Sequence, residues 1–444
     1  QGAEFIICLS HSGTNEKKKL SEDEQLAEQV TGIDLIVSGH THSTLVEPLV
    51  VNDTYIVSAG PYCENLGSVT IAWNPDGSKS LADYHLVPID ETLAGDEDIT
   101  HMVDRWKRLV GGTYLGRYGL TYDEVLTRTD FDLPTPESGV QSGNALGELV
   151  ADSFLWATEN LEADSPDVPT VTVTADGVLR APLAAGEITT SMAFDVLSMG
   201  VGNDGTSGFP LVGVYLTGKE LKAAAEVDAS ATPLMPAAQL YMAGMKYSFN
   251  THRMFFNRVT EIQLYQEKIW SEPAPVIGEE QQTDESGFIV VHRDKTYSDL
   301  VDGQLYRVVT GMYSAQMLGT VKSKSMGLLS LEPKMADGTP VTDFEACILR
   351  DENGNEIKEW YALAAYLQSF GEEGLLSSWY SKPSGDGRKQ VSHSWNPAEL
   401  VKNPNWITMV TLLVLTAAVV LAVFLIRWIH YARRRRRYGK GTRW

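Results

Sequence analysis

From Trp406 to Ile426 the chain carries no charged residue, and tryptophans at 406 and 428 bound the stretch. As a helix rising about 1.5 Å per residue it reaches roughly 30 Å, the thickness of a bilayer's hydrocarbon core. The run Arg433–Arg437 follows directly, and basic residues collect on the cytoplasmic side of a span. The pattern predicts one membrane-spanning helix over 406–427, a basic cytoplasmic tail over 428–444, and an extracellular body held at the cell membrane. A buried core helix of that length would not carry a polybasic flank. Residues 401–405, Val-Lys-Asn-Pro-Asn, lack the pentapeptide that a sortase reads, so a retained anchor is expected. One span forms no pore unless the chain oligomerises, which argues against a channel or transporter; the oligomeric state itself stays open.

The anchor conceals a charge asymmetry. Of 36 Lys and Arg residues, 8 lie beyond Trp406, whereas all 58 Asp and Glu residues precede it, leaving residues 1–405 at −30. A body so acidic repels nucleic-acid phosphates, so no nucleic-acid polymer is expected as a partner. A small anionic substrate would need metal ions or arginines to overcome the field. Cys8, Cys63 and Cys347 are widely separated and form no CxxC pattern, which excludes a disulfide framework and a cysteine-based zinc site. With 444 residues, 43% hydrophobic and 21% charged, the chain is globular and long enough for two domains with appendages.

Ala3–Ser10 reads as a buried strand and not as a signal peptide. An exported body needs an export signal, so the chain is expected to begin inside a domain. Leu20–Val30 has apolar residues at helical spacing, with Ser21 and Asp23 as starting signals. Ile33–Val37 reads as a short buried strand, and Tyr55–Ala59 and Ser68–Trp73 as two more, which together predict a layered α/β domain over 1–92. A helical stretch over 93–120 runs into Gly111-Gly112, a candidate joint. A second α/β unit is expected over 121–376, then a stalk over 377–405 rich in Ser, Gly, Pro and Lys.

Three of the nine histidines fall in turns directly after the first strands: His11 after Ile6–Ser10, and His40 and His42 after Ile33–Ser38. Loops at strand ends are exposed yet held by a rigid sheet, and sites are built there. Imidazole is a common neutral ligand for zinc, manganese or iron, and Gly39 lets the backbone turn sharply beside a metal. A His-x-His pair on an irregular turn can direct its rings at two neighbouring ions. Two ions about 3.5–4 Å apart lower the pKa of a bridging water and clamp a phosphoryl group for in-line attack.

The sequence around these histidines resembles a known family. Leu9-Ser-His-Ser-Gly13, Asp23-Glu-Gln-Leu-Ala27, Gly32-Ile-Asp-Leu-Ile-Val-Ser-Gly-His-Thr-His42 and Val57-Ser-Ala-Gly60 are similar to the last third of the calcineurin-like metallophosphoesterase domain of 5'-nucleotidases and UDP-sugar hydrolases. The resemblance implies the C-terminal part of a metallophosphoesterase α/β sandwich, then an α/β 5'-nucleotidase C-terminal domain, then one transmembrane helix. It implies two divalent metal ions, with His11 and His40 on one and His42 on the other. The family's remaining ligands come from Asp-x-His, a bridging Asp and Gly-Asn-His-Asp or -Glu. Those patterns do not occur in this chain, which leaves half the ligand positions unsupplied. This chain alone is therefore not expected to hydrolyse phosphates well, whereas a version completed upstream is. The other six histidines, at 85, 101, 252, 292, 393 and 430, read as structural.

The resemblance continues downstream. Gln141-Ser-Gly-Asn-Ala-Leu-Gly-Glu-Leu-Val-Ala-Asp152 looks like the opening helix of the family's C-terminal domain, with Asn144 as a helix cap. Ala175-Asp-Gly-Val-Leu-Arg180 stands where the family has a Gly-Ile-Arg loop, which implies substrate-binding roles for Gly177 and Arg180. A guanidinium suits a phosphate because it binds it bidentately. The departures bear on the substrate. Met199 occupies the place of the first base-stacking phenylalanine, Gly139 that of an arginine, and Gly319–Met326 replaces Gly-Gly-Asp-Gly-Phe. The expected activity is hydrolysis of nucleoside monophosphates, with 2',3'-cyclic nucleotides or UDP-sugars as alternatives at the same centre. A non-catalytic surface binding protein on the same scaffold is the alternative of another class.

Overall fold

The computed structural model describes residues 2–273, 289–325, 327, 329–371, 376 and 378–438. Ser377, Met326 and the end of the basic tail over 439–444 lie outside the described residues. The chain divides into two compact units, Gln1–Arg105 and Trp106–Trp444.

The first unit opens with β1 (Ile7–Ser10), α1 (Glu22–Gln29), β2 (Leu35–Ser38), β3 (Leu49–Val51) and β4 (Thr54–Val57), with sheet order β1-β2-β4-β3. β1 and β4 flank β2 in parallel, and β3 runs antiparallel to β4. Parallel neighbours need a crossover, and α1 supplies it. Its Ala27 packs on Ile36, Val51 and Ile56. The ribbon β5 (Asn65–Trp73) and β6 (Lys79–Pro88) completes the unit. One expectation is corrected here. β1 is a strand but not a buried one: it is an edge of the sheet with β2 as its neighbour, and Leu9 is 81% exposed.

The second unit begins within α2 (Glu97–Thr113), and Gly111 and Gly112 lie inside that helix, a few residues beyond the division at Arg105. It continues through β7 (Val125–Thr129), α3 (Ala145–Asn160), β8 (Thr170–Ala175), β9 (Gly186–Thr189), α4 (Thr190–Val196), β10 (Leu211–Thr217), α5 (Gly218–Ala231) and β11 (Leu240–Ala243). Then come β12 (Met245–Asn250), β13 (Val259–Pro273), β14 (Ile289–Asp299), β15 (Leu305–Gly311), α6 (Met312–Lys324) and α7 (Glu359–Gln368). The last elements are β16 (Lys389–Ser392), α8 (Pro397–Leu400) and α9 (Trp406–Tyr438). One mixed sheet is ordered β10-β15-β8-β11 and another β14-β13-β12-β16. Leu146, Leu149 and Phe154 of α3 pack on Trp360 and Leu363 of α7 to form one core. Val212, Val214 and Val308 pack with Leu221 of α5 and with Tyr247 and Phe249 of β12 to form the other.

Two helix starts follow from their sequences. Asn144 caps α3 by accepting from Gly147 N at 2.9 Å, as the sequence predicts. Thr217 and Glu220 form a reciprocal capping box on α5.

The segment expected as a stalk is built into the second unit instead. β16 pairs in parallel with β12, Tyr247 opposite Lys389 through to Asn250 opposite Ser392. Arg388 and Lys389 are buried because they answer buried carboxylates: Arg388 on Asp152, and Lys389 on Asp228. Composition alone marks the segment as a linker; these two charges are what draw it in. α9 is long and apolar enough to cross a membrane over Trp406–Arg434, its most apolar 18 residues having a mean hydropathy of 3.0.

Candidate functional site

In the first unit the histidines sit where strand ends put them. His11 follows the last residue of β1, and His40 and His42 lie in the turn after β2. The rings of His11 and His40 are 5.0 Å apart, centroid to centroid. The His11 ring lies over Gly39, where an added Cβ would come within 3.3 Å of His11 Nδ1. His40 and His42 have φ of 71° and 53°, a left-handed backbone that side chains other than glycine adopt at a cost. The His42 ring stands edge-on to Tyr62 at 5.3 Å. All three histidines are exposed.

What fixes the two turns relative to each other is Asp23, fully buried at the start of α1. Ser10 Oγ donates to its Oδ1 at 2.5 Å and Ser38 Oγ to its Oδ2 at 2.5 Å. Gly13 N also donates to Oδ2, at 3.1 Å. One carboxylate thus ties the last residue of β1, the turn after it and the last residue of β2. A second tie is Thr41 Oγ1, which accepts from Thr14 N at 3.1 Å. Asp23 reads from sequence as a helix-starting signal, and its part in the site is missed because its partners lie ten or more residues away. The available clue is a serine next to His11 and another just before Gly39-His40. Asp23→Asn replaces one of the two accepting oxygens by an NH2 group that faces at least one of these donors, so the first unit is expected to lose about 1–3 kcal/mol, measurable as a lowered Tm.

Among the described residues no group of three or more His, Cys, Asp or Glu surrounds a common point. The imidazoles of His11 and His40 nonetheless fit a shared metal ligation. They are imidazoles at rigid strand ends, exposed and close together, with Gly39 leaving room for the His11 ring. Asp23 is not available as a ligand, since its oxygens serve the two turns.

In the second unit the chain leaves β8 at Ala175 and turns through Asp176–Val178. Gly177 sits against Ala237, whose Cβ an added side chain would meet at 3.0 Å. Burial pushes the carboxyl of Asp176 up to about 6, against the opposing pull of Tyr241 OH at 3.5 Å and of Lys389. Arg180 is exposed, and its backbone N donates to Val196 O at 2.8 Å, beside the loop that carries Met199. Gly177 and Met199 both line an apolar cavity of about 280 Å³, together with Met235, Tyr313, Met317 and Leu318. Arg180 is not part of that lining. Tyr313 stacks on Phe209 with centroids 5.7 Å apart and an interplanar angle of 24°. The structure therefore brings Gly177 and Met199 to one cavity and adds Tyr313 to its wall, backed by Phe209, a residue pair that sequence reasoning did not single out.

The loop after Met199 is anchored from below. Lys358, fully buried, reaches Glu356 at 2.7 Å and Asp204 at 2.8 Å. A Cβ at Gly202 would overlap the Lys358 ammonium, which is why glycine stands there. Burial pushes the Asp204 carboxyl up, but Lys358 and Thr206 outweigh it and hold the group below the usual range.

Comparison with known proteins agrees with this architecture. The 5'-nucleotidase C-terminal domain model matches residues 123–320. A trifunctional nucleotide phosphoesterase, YfkN of Bacillus subtilis, is 28% identical over 264 residues, which is 58% of this chain and 16% of that protein. A 5'-nucleotidase of Diplobatis ommata is 23% identical over 340 residues, 71% of this chain and 51% of its own. The chain thus spans about half or less of the curated relatives it matches. The 5'-nucleotidase precursor of Thermus thermophilus superposes with a TM-score of 0.54 at 21% identity, covering 88% of this chain and 65% of that one. That likeness shows the fold. Over residues 123–320 the chain is therefore similar to the 5'-nucleotidase C-terminal domain, the one stretch that the family model matches.

Proposed function

We propose that the protein is a metal-dependent phosphomonoester hydrolase of the 5'-nucleotidase type, anchored in the cell membrane by α9 with its two units outside and its C-terminus in the cytosol. The observation that carries the reading is the pairing of the His11 and His40 rings, held 5.0 Å apart by turns tied to one buried carboxylate. In this reading His11 and His40 hold one divalent ion and His42 its neighbour, as zinc, manganese or a similar metal. Such a pair of ions supplies an activated water and neutralises charge on the phosphoryl group. The chain's own residues orient the two imidazoles through Asp23, and Arg180 binds the anionic substrate. Gly177 and Met199 receive the part of the ester remote from phosphorus. The exposed apolar outer edge of β1 supports the view that further sequence packs there and completes the ligand set.

The substrate follows less directly. Nucleoside monophosphates are the proposed class, with 2',3'-cyclic nucleotides and UDP-sugars processed at the same centre. Met199 in place of an aromatic residue favours a second reading, a non-catalytic surface binding protein on this scaffold. Phosphate release from AMP with added Mn²⁺ or Zn²⁺, by protein completed upstream, separates the two. The hydrolase reading expects release that His40→Ala abolishes, with bound metal falling in parallel by elemental analysis. Metal retained by both proteins without release from AMP, UDP-glucose or an aryl phosphate would favour the binding protein.

A further inference from the structure

The second unit leaves its anchor helix no slack. β16 is paired with β12 as far as Ser392, and Asn250 Nδ2 donates to Ser394 O at 2.9 Å. Trp395 stacks on His252 with centroids 4.0 Å apart and is still 70% exposed. Buried Arg253 donates to Asn257 O at 2.7 Å, to Glu399 O at 3.2 Å and to Lys402 O at 2.6 Å, so α8 and the residues after it are held. Asn405 N donates to Asn257 Oδ1 at 3.1 Å, and Asn405 Nδ2 donates to Phe256 O. Thr408 N in turn donates to Asn405 Oδ1 at 3.0 Å. Thr408 is 5% exposed, whereas Met409, Val410 and Leu413 are all more than half exposed. One side of the first turn of α9, the side that carries Thr408, is therefore held against the body, while Trp406 stays 59% exposed.

The turn is thus pinned to the body through Asn405 and Thr408, and the freely lipid-exposed helix starts at Met409. From Met409 to Trp428 there remain 20 residues. At about 1.5 Å each they span roughly 30 Å, which is the hydrocarbon core with nothing to spare. Lipid must begin where the body ends. A loose linker would let the body stand away from the surface, but here Ser394, Trp395, Glu399, Lys402 and Asn405 are each held by residues 250–257, and Thr408 by Asn405. The exposed aromatic residues of this region are Trp395 and Trp406, and tryptophan favours the headgroup level, where its ring is buried and its N–H stays wet.

We propose that the second unit rests directly on the bilayer, with residues 251–258 and 392–406 as its lipid-facing surface and Trp395 at headgroup depth. The inference rests on α9 crossing a membrane. A spin label at Trp395→Cys, with Cys8, Cys63 and Cys347 replaced by serine, tests it in phosphatidylcholine vesicles carrying the full chain. The label should be relaxed strongly by a nickel chelate on lipid headgroups and only weakly by a water-soluble chromium complex. A flexible Gly-Ser spacer inserted between Thr408 and Met409 keeps the ties of Ser394 through Asn405, breaks the helical bonds across that point such as Met409 N to Asn405 O, and should raise exposure to the chromium complex several-fold. Equal exposure with and without the spacer, in protein that floats with the vesicles, overturns the proposal while α9 remains an anchor. Protein that does not float removes the anchor and the proposal together. A label at Lys402→Cys gives the same comparison should the tryptophan variant not fold.

Discussion

Replacing Arg388 by methionine is expected to destabilise the second unit by about 3–5 kcal/mol, because a buried ion pair broken on one side leaves uncompensated charge. Arg388 holds Asp152 through two hydrogen bonds, at 2.6 and 2.9 Å, and Asp386 through two more, each at 3.0 Å. Glu148 lies 3.6 Å from its Nε. Burial pushes the Asp386 carboxyl up, yet Arg388 and Lys295 together hold it well below the ordinary range. Burial also lifts Glu148 above that range, with Arg388 opposing. Without the guanidinium the carboxylates must ionise alone or take up protons. The sign follows from linkage: their folded pKa values rise, so the variant loses stability as pH rises through them. Denaturant titrations of the full chain in detergent at pH 5 and pH 8 should show a deficit that is larger at pH 8. A deficit independent of pH would mean that lost packing, and not orphaned charge, dominates.

Glu359→Gln should act in the opposite direction and stabilise the protein at alkaline pH. Glu359 is the first residue of α7, and its Oε2 has no hydrogen-bond partner among the described residues. Its carboxyl packs directly over Gly311 at the end of β15, where any side chain would overlap it. Burial alone pushes its pKa up to about 8. The folded protein therefore keeps this proton where the unfolded chain has already lost it. The stability it contributes is full below about pH 4.5 and is lost as pH rises toward 8. The loss is on the order of 5 kcal/mol, since each tenfold change in proton affinity is worth about 1.4 kcal/mol. Glutamine carries no such cost, so the variant should match the parent at pH 5 and exceed it at pH 9 in denaturant midpoint. Parallel pH profiles for the two proteins would show that the carboxyl is solvated or paired.

Much of the fold is legible wherever the signal is local. The strand-end placement of His11, His40 and His42 follows from apolar runs broken by small turn residues. Asn144 reads as a cap because capping requires only the next three residues. The apolar stretch of α9 needs no tertiary information at all. What sequence reading misses is held together over distance. Asp23 looks like an ordinary helix-starting residue until Ser10 and Ser38 converge on it. Lys358 resembles a surface charge until Asp204, in a loop more than a hundred residues earlier, closes over it. Residues 377–405 have the composition of a linker, and only the buried carboxylates Asp152 and Asp228 show why Arg388 and Lys389 must come inside.

The late strand β16 also decides where the chain can be cut to make it soluble. Ending it at residue 376, where composition suggests the domain stops, would strip Arg388 and Lys389 from their carboxylates and leave β12 with a bare edge beside Tyr247 and Phe249. An open edge of that kind recruits strands from other molecules. A version for crystallisation or assay should instead run through Thr408 and shed only the exposed apolar helix beyond it, so that β16 stays on β12 and the buried charges keep their partners.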